Sequence, residues 1–233
     1  GSTADSVYDA VDNTTTPVTT TDDDSLGINA SPSSVSINEG SSATIGVTLN
    51  AQPSANVVLD LTLSNSNEAS IDVATMTFTT SNYATAQNVI VQANNDSVDD
   101  GNISSTLDIV IDEASTSDAV WYATADRNVA LTTVDNDTAA IVIVQTGGGT
   151  SVDESGTTDT FTVSLASAPS PGFVVRVYST DNDNTNTEIS TSPSVINFNS
   201  SNWNTPQTIT VTGVNEFKDD GNQSTRISFI VNT

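Results

Sequence analysis

Apolar residues in this chain recur at every second position in short runs. Val35 and Ile37 alternate with serine, and Ala43, Ile45, Val47 and Leu49 alternate with threonine and glycine. Val57, Leu59, Leu61 and Leu63 continue the period of two, followed by Met76 and Phe78, Val89 and Val91, and Leu107, Ile109 and Ile111. A period of two turns alternate side chains toward a core and toward water, which is the mark of a half-buried strand. Between the runs lie clusters of Gly, Pro, Asn, Asp and Ser, such as Asn38-Glu39-Gly40, at intervals of roughly ten residues that suit turns. The plan then returns in Phe161, Val163 and Leu165, in Val175 and Val177, in Ile209 and Val211, and in Ile227, Phe229 and Val231. No stretch carries helical periodicity. The pattern predicts an all-β protein.

The return is an internal repeat. Ser2-Thr3-Ala4-Asp5-Ser6-Val7-Tyr8 aligns with Ser115-Thr116-Ser117-Asp118-Ala119-Val120-Trp121, and Asp22-Asp23-Asp24 with Asp135-Asn136-Asp137, both at a spacing of 113. Glu39 pairs with Glu154, Pro53 with Pro169 and Glu68 with Glu188. Phe78, Asn82, Tyr83 and Gln87 pair with Phe198, Asn202, Trp203 and Gln207 at a spacing of 120. A spacing that only increases describes one unit with a few loop insertions, so the expectation is tandem antiparallel, immunoglobulin-like β-sandwiches of about seven strands each. The first spans 26–137 and the second 138–233. The second runs out one strand short, and residues 1–25 match its missing last segment. Composition alone reads 1–25 as an unstructured tail. Its counterparts Ala119-Val120-Trp121-Tyr122 and Asn128 to Val134 instead have the β-branched and aromatic content of a terminal strand. Residues 1–25 are thus a candidate donor strand for the groove that an incomplete sandwich leaves open. Because such a contact is head to tail, it generates a filament. The alternative is that the chain is a segment of a longer repeat protein, cut within a domain.

Charge narrows the partners. Twenty-nine acidic residues face four basic ones, for a net charge of −25. Nucleic acid and anionic membrane both need a positive patch, so neither is expected, and cations are the natural counterpart. The chain has no cysteine and no histidine, which excludes disulfides, the Ser-His-Asp and Cys-His nucleophile systems and most zinc sites. No apolar run approaches the ~20 residues of a membrane helix, so no membrane insertion is expected.

The acids gather at strand ends. In the first unit these are Glu39, then Asn94-Asn95-Asp96 with Asp99-Asp100, then Asp135-Asn136-Asp137. In the second they are Glu154, then Asn215-Glu216 with Asp219-Asp220, and a third segment is absent. Oxygen donors in flexible loops suit Ca²⁺, although the DxDxDG spacing of an EF-hand is missing. The competing reading is that acids sit in loops because loops are solvated. An entry strand ending in Glu-Gly or Glu-Ser-Gly, the strands VIVQANNDSVDD and ITVTGVNEFKDD, and the terminal DNDT resemble the Calx-beta and cadherin-like repeats found in tandem in large bacterial and archaeal surface proteins. The resemblance implies a scaffold at the cell surface or outside the cell. It implies one Ca²⁺ site from Glu39, Asp96, Asp99, Asp100, Asp135 and Asp137, with Asn94, Asn95 and Asn136 standing where the family often has Asp. It implies a second from Glu154, Glu216, Asp219 and Asp220, completed by Asp22, Asp23 and Asp24 of a neighbouring copy.

Other features carry less. Several Asn-x-Ser/Thr triplets fit a glycan acceptor, but the abundance of these residues produces them by composition. Trp203 and Tyr83 could stack on a sugar, yet their matched positions favour a structural corner. Gly147-Gly148-Gly149 lacks the Lys and helix of a phosphate loop. A glycosidase carboxylate pair is the remaining enzyme chemistry, and since every notable acid pair recurs in both units, no enzyme is expected. The expected function is a structural subunit that polymerises with itself through strand donation, with calcium at its junctions. The alternative is the stalk of a calcium-binding adhesin.

Overall fold

The computed structural model describes residues 15–172, 174–181, 188–215, 217–219 and 221–232. Two β-sandwiches follow one another along the chain. In the first, β1 (Ile28–Ser31), β3 (Ser42–Leu49), β7 (Gln87–Ala93) and β5 (Ala69–Ile71) form a four-stranded sheet in the order β1-β3-β7-β5. Facing it is a five-stranded sheet in which β2 (Ser34–Asn38), β9 (Arg127–Val134), β8 (Ile103–Ile111), β4 (Val57–Leu63) and β6 (Thr75–Phe78) lie side by side in that order. The alternating residues meet between the sheets. Ile45, Val47, Val57, Leu59, Phe78, Val89, Val91, Leu107 and Ile109 are fully buried, while their sequence neighbours face out.

Two details differ from the pattern read in the sequence. The sandwich is not wholly antiparallel, since β2 runs parallel to β9 with Ser34 opposite Ala130 and Asn38 opposite Val134. β1 and β2 are consecutive, with only Pro32 and Ser33 between them, but belong to opposite sheets: the chain crosses from one sheet to the other there, and β2 takes the free edge beside the last strand. Ala119–Ala123, expected as part of the terminal strand, forms a 3₁₀ turn instead. Asp118 caps it by accepting from the Val120 N–H, and Trp121 at its centre is buried as a plug for the core.

The second sandwich repeats the plan. β10 (Ile141–Gln145), β11 (Thr158–Leu165), β15 (Gln207–Gly213) and β13 (Ile189–Ser192) form a sheet in the order β10-β11-β15-β13. It faces β14 (Val195–Phe198), β12 (Val175–Asp181) and β16 (Ile227–Asn232), in the order β14-β12-β16. Registers match between the units. Val47 lies opposite Gln87 and Val163 opposite Gln207, while Val57 lies opposite Phe78 and Val175 opposite Phe198. The Phe-x3-Asn-Tyr/Trp signature is a corner in both. Phe78 and Phe198 enter the cores, Asn82 and Asn202 accept from the N–H of Thr79 and Asn199, and the carbonyls of Tyr83 and Trp203 accept from Leu49 and Leu165.

Candidate metal centre and an open sheet edge

Three loops bring the acids of the first unit together at one end of its sandwich. Glu39 sits in the turn after β2, where Gly40 takes a φ of +73° that lets the chain reverse at low cost. The Glu39 N–H donates to the Val134 carbonyl, which ties the turn to the end of β9. Directly beyond that end, Asp135 Oδ2 accepts from Gly101 N–H at 2.7 Å and Oδ1 from Asp137 N–H at 2.8 Å. Glu39, Asp135 and Asp137 each present a carboxylate oxygen, all within 4.8 Å of one another.

The electrostatics of this cluster are unbalanced. Glu39 is 8 % exposed, and its Oε2 is buried without a hydrogen-bond partner, as is Oδ2 of Asp137. Burial holds the Glu39 carboxyl above its ordinary range, helped by repulsion from Asp96, Asp135, Asp137 and Asp100. Asp137 is raised by burial and then by Asp135, Asp96 and Asp99, and Asp100 by burial, Asp96 and Asp135. Asp135 is lowered, chiefly by the N–H groups of Asp137 and Gly101, so it stays ionised. Asp96 Oδ1 accepts from Val98 N–H and Asp99 Oδ2 from Ala139 N–H, the latter tying the loop to the segment that leads into the second sandwich. Ser97 adds a second tie, its carbonyl accepting from Ala168 N–H.

An isolated buried carboxylate with no donor is costly, and two beside further acids are more so. A cation removes both costs at once. The donor set is all oxygen with no histidine or thiolate, which fits Ca²⁺ and disfavours zinc. The residues present therefore fit the ion. Glu68, not singled out as a ligand by its sequence, belongs to the same neighbourhood, because its carboxyl is raised by burial and then by Asp100 and Asp96. The signal that could have found it is its match to Glu188 in the other unit.

The second set of acids is not gathered in the same way. Glu154 is half-buried in the turn that follows residues 150–153, and Asp219 is exposed. Glu216 and Asp220 lie outside the described residues. Asp22, Asp23 and Asp24 are exposed in the segment 15–26, which forms no strand, and Asp24 N–H donates to Asp22 Oδ1. Residues 1–14 of the candidate donor segment lie outside the described residues.

The second sandwich is open where the first is closed. Each strand of the first has a counterpart except β2 and β9, so among the described residues β16 has no neighbour on its outer edge. The matched core positions change accordingly. Ala30 is 7 % exposed but its counterpart Ile143 is 44 % exposed. Leu107 and Ile109 are fully buried, while their counterparts Ile227 and Phe229 are half-buried, the latter meeting Phe161 edge-on at 5.8 Å. Leu49 and Ile37 are buried, and Leu165 and Val152 only partly so. Positions remote from β9 are buried in both units, as with Phe78 and Phe198 or Val91 and Val211. Among the residues whose burial is described, the loss of cover thus falls in one cleft between β10 and β16.

No family model matches the chain, and no curated protein sequence matches it. Solved structures do. The calcium-binding domain CBD12 of CALX1.1 is 13 % identical over 82 % of this chain and 76 % of its own, with a TM-score of 0.34. A chaperone–tip adhesin complex of CFA/I fimbriae is 4 % identical over 87 % of this chain and 97 % of its own, with a TM-score of 0.37. Domains 1–6 of the surface layer protein SbsC are 16 % identical, covering 85 % of this chain and 23 % of that one, with a TM-score of 0.31. At such scores these likenesses do not bear on what the chain binds or does. Among the described residues no helix is long and apolar enough to cross a membrane.

Proposed function

We infer that this protein is a non-catalytic structural subunit of an extracellular filament or surface matrix. Copies join head to tail as the N-terminal segment of one fills the cleft of the next, and Ca²⁺ sits at the sandwich ends. The observation that carries this reading is the pairing of a cleft with a sequence. Among the described residues the second sandwich lacks cover at the positions that β9 and its preceding turn cover in the first, and residues 2–24 match that same segment.

The match extends to the chemistry of the contacts. In the first sandwich Trp121 plugs the core, Asp118 accepts from Ser54 N–H and Oγ–H, and Thr116 Oγ1 accepts from Val58 N–H. Tyr8, Asp5 and Thr3 stand at those places in the N-terminal segment. Val18 stands at the place of Leu131, and is 84 % exposed in the unpaired chain. Burying one such side chain stabilises by about 1.5–3 kcal/mol, and each backbone hydrogen bond to β16 adds about 1 kcal/mol. An inserted strand also carries Asp22 and Asp24 to the positions that Asp135 and Asp137 hold in the first unit, beside Glu154. Calcium there would bridge two subunits.

Negative-stain microscopy of the full chain beside a variant lacking residues 1–24, each in calcium and in chelator, tests this reading. Filaments from the full chain alone, which dissolve in chelator, are expected. If both proteins remain monomeric in calcium, the cleft is filled by another strand and the chain is the stalk segment of a longer repeat adhesin.

A further inference from the structure

The cleft is two strands wide. In the first sandwich β9 is followed by a second neighbour, β2, on its outer side, and among the described residues the second sandwich has neither. The N-terminal segment supplies a counterpart of β9 only. The counterpart of β2 lies in the acceptor itself, at residues 149–153, where Thr150 and Val152 match Val35 and Ile37. The turn that follows is already formed, with Gly156 N–H donating to Asp153 O as Ser41 N–H donates to Asn38 O.

The hydrogen bonds of this segment are one-sided. Ser151 N–H donates to Asp159 Oδ2 at 2.9 Å and Asp153 N–H to Thr157 Oγ1 at 2.7 Å, so one edge is tied to β11 and the loop before it. Among the described residues the intervening N–H groups of Thr150, Val152 and Glu154 form no hydrogen bond. Alternate amides of an extended chain face opposite edges, so this set forms one row. In the first unit the matching row is satisfied by β9. Glu39 N–H donates to Val134 O, Ala130 N–H donates to Ser33 O, and the parallel ladder between them sets Val35 opposite Leu131 and Ile37 opposite Thr133, the register that aims the N–H groups of Val35 and Ile37 at the carbonyls of Ala130 and Thr132.

We propose that residues 150–154 are a latent strand, which pairs in parallel with the donor segment of a second copy and closes over it. This rests on the strand-donation reading and adds to it. The donor is gripped on both edges, by β16 and by Thr150, Val152 and Glu154, whose N–H groups donate to the carbonyls of Pro17, Thr19 and Thr21. The donor sequence fits this register. Pro17 stands at the place of Ala130, whose N–H points toward β2 and not toward β8, so proline gives up one bond to the latent strand and none to β16.

Hydrogen exchange on the full chain, dilute and assembled, tests the proposal. On assembly the amides of Thr150, Val152 and Glu154 are expected to slow at least tenfold, while those of Val35, Ile37 and Glu39 are slow in both states. Val152→Pro removes an N–H that bonds to nothing in the unassembled chain, and Val152→Ala removes only the side chain. The proline variant is expected to weaken assembly about three- to tenfold more than the alanine variant, the worth of one hydrogen bond. Filaments that need residues 1–24 yet leave Thr150, Val152 and Glu154 exchanging freely would overturn the latent strand and keep strand donation. Equal affinities of the two variants would also overturn it. A chain that never assembles removes both.

Discussion

Glu39 offers the sharpest test of the metal centre, because its carboxylate is buried with one oxygen unpaired. Replacing it by Gln keeps the shape and removes the charge. Glu39 and Asp137 oxygens lie within 4.8 Å, where two unit charges repel by about 3 kcal/mol at an effective dielectric of ~20. Counter-ions and partial exposure reduce this to about 1–2 kcal/mol. In chelator, Glu39→Gln is therefore expected to raise the melting temperature of the first sandwich by roughly 4–8 °C. Calcium at a hundredfold excess over its dissociation constant stabilises the wild type by about 2.7 kcal/mol, on the order of 10 °C. The variant should lose most of that gain. The assay is fluorescence-detected melting in a Trp203→Phe background, which leaves Trp121 of the first core as reporter. pH supplies an independent arm. A carboxyl raised above its ordinary 4.5 costs nothing once protonated in both states, and its cost appears as pH rises through the folded value. Metal-free wild type should accordingly lose stability from about pH 4.5 upward relative to the variant. A wild type whose melting ignores calcium, or a variant that keeps the full calcium gain, would refute the assignment.

Four further outcomes are expected. Asp118 is held below 3.8 by the Ser54 N–H first, so its contribution is present above 3.8 and lost as pH falls through its lowered value. Asp118→Asn should cost about 1.5–3 kcal/mol at neutral pH by chemical denaturation, and progressively less as pH falls below 3.8 toward the lowered folded value. Val18→Asp, at a position that is exposed in the unpaired chain, should abolish assembly in light scattering without moving the melting of either sandwich. Ile143→Lys places a charge in the cleft between β10 and β16 and should likewise block assembly. Mixing the two variants should not restore long filaments, since each can take part in only one kind of junction.

The sequence by itself determined the strands, because a period of two is written in residue types and needs no partner to be read. The repeat likewise fixed the correspondence of Glu39 with Glu154 and of Tyr83 with Trp203, and the run of acids at strand ends. What it did not carry was anything that depends on which edges meet. That β2 lies parallel to β9 is a choice between two sheet edges made by packing. Residues 119–123 have strand composition, yet they turn because Asp118 caps them and Trp121 must reach the core. Glu68 joins Asp96 and Asp100 only because β5 is folded against β7. The loss of cover at Ile143 and Phe229 becomes visible only when burial in the two units is compared. The alternating amides of residues 150–154 could not have been foreseen, since hydrogen-bond direction is set by the tertiary neighbours on each edge. Local pattern specified the strands and the acids; contacts between distant segments decided which of them form a site and which leave an edge open.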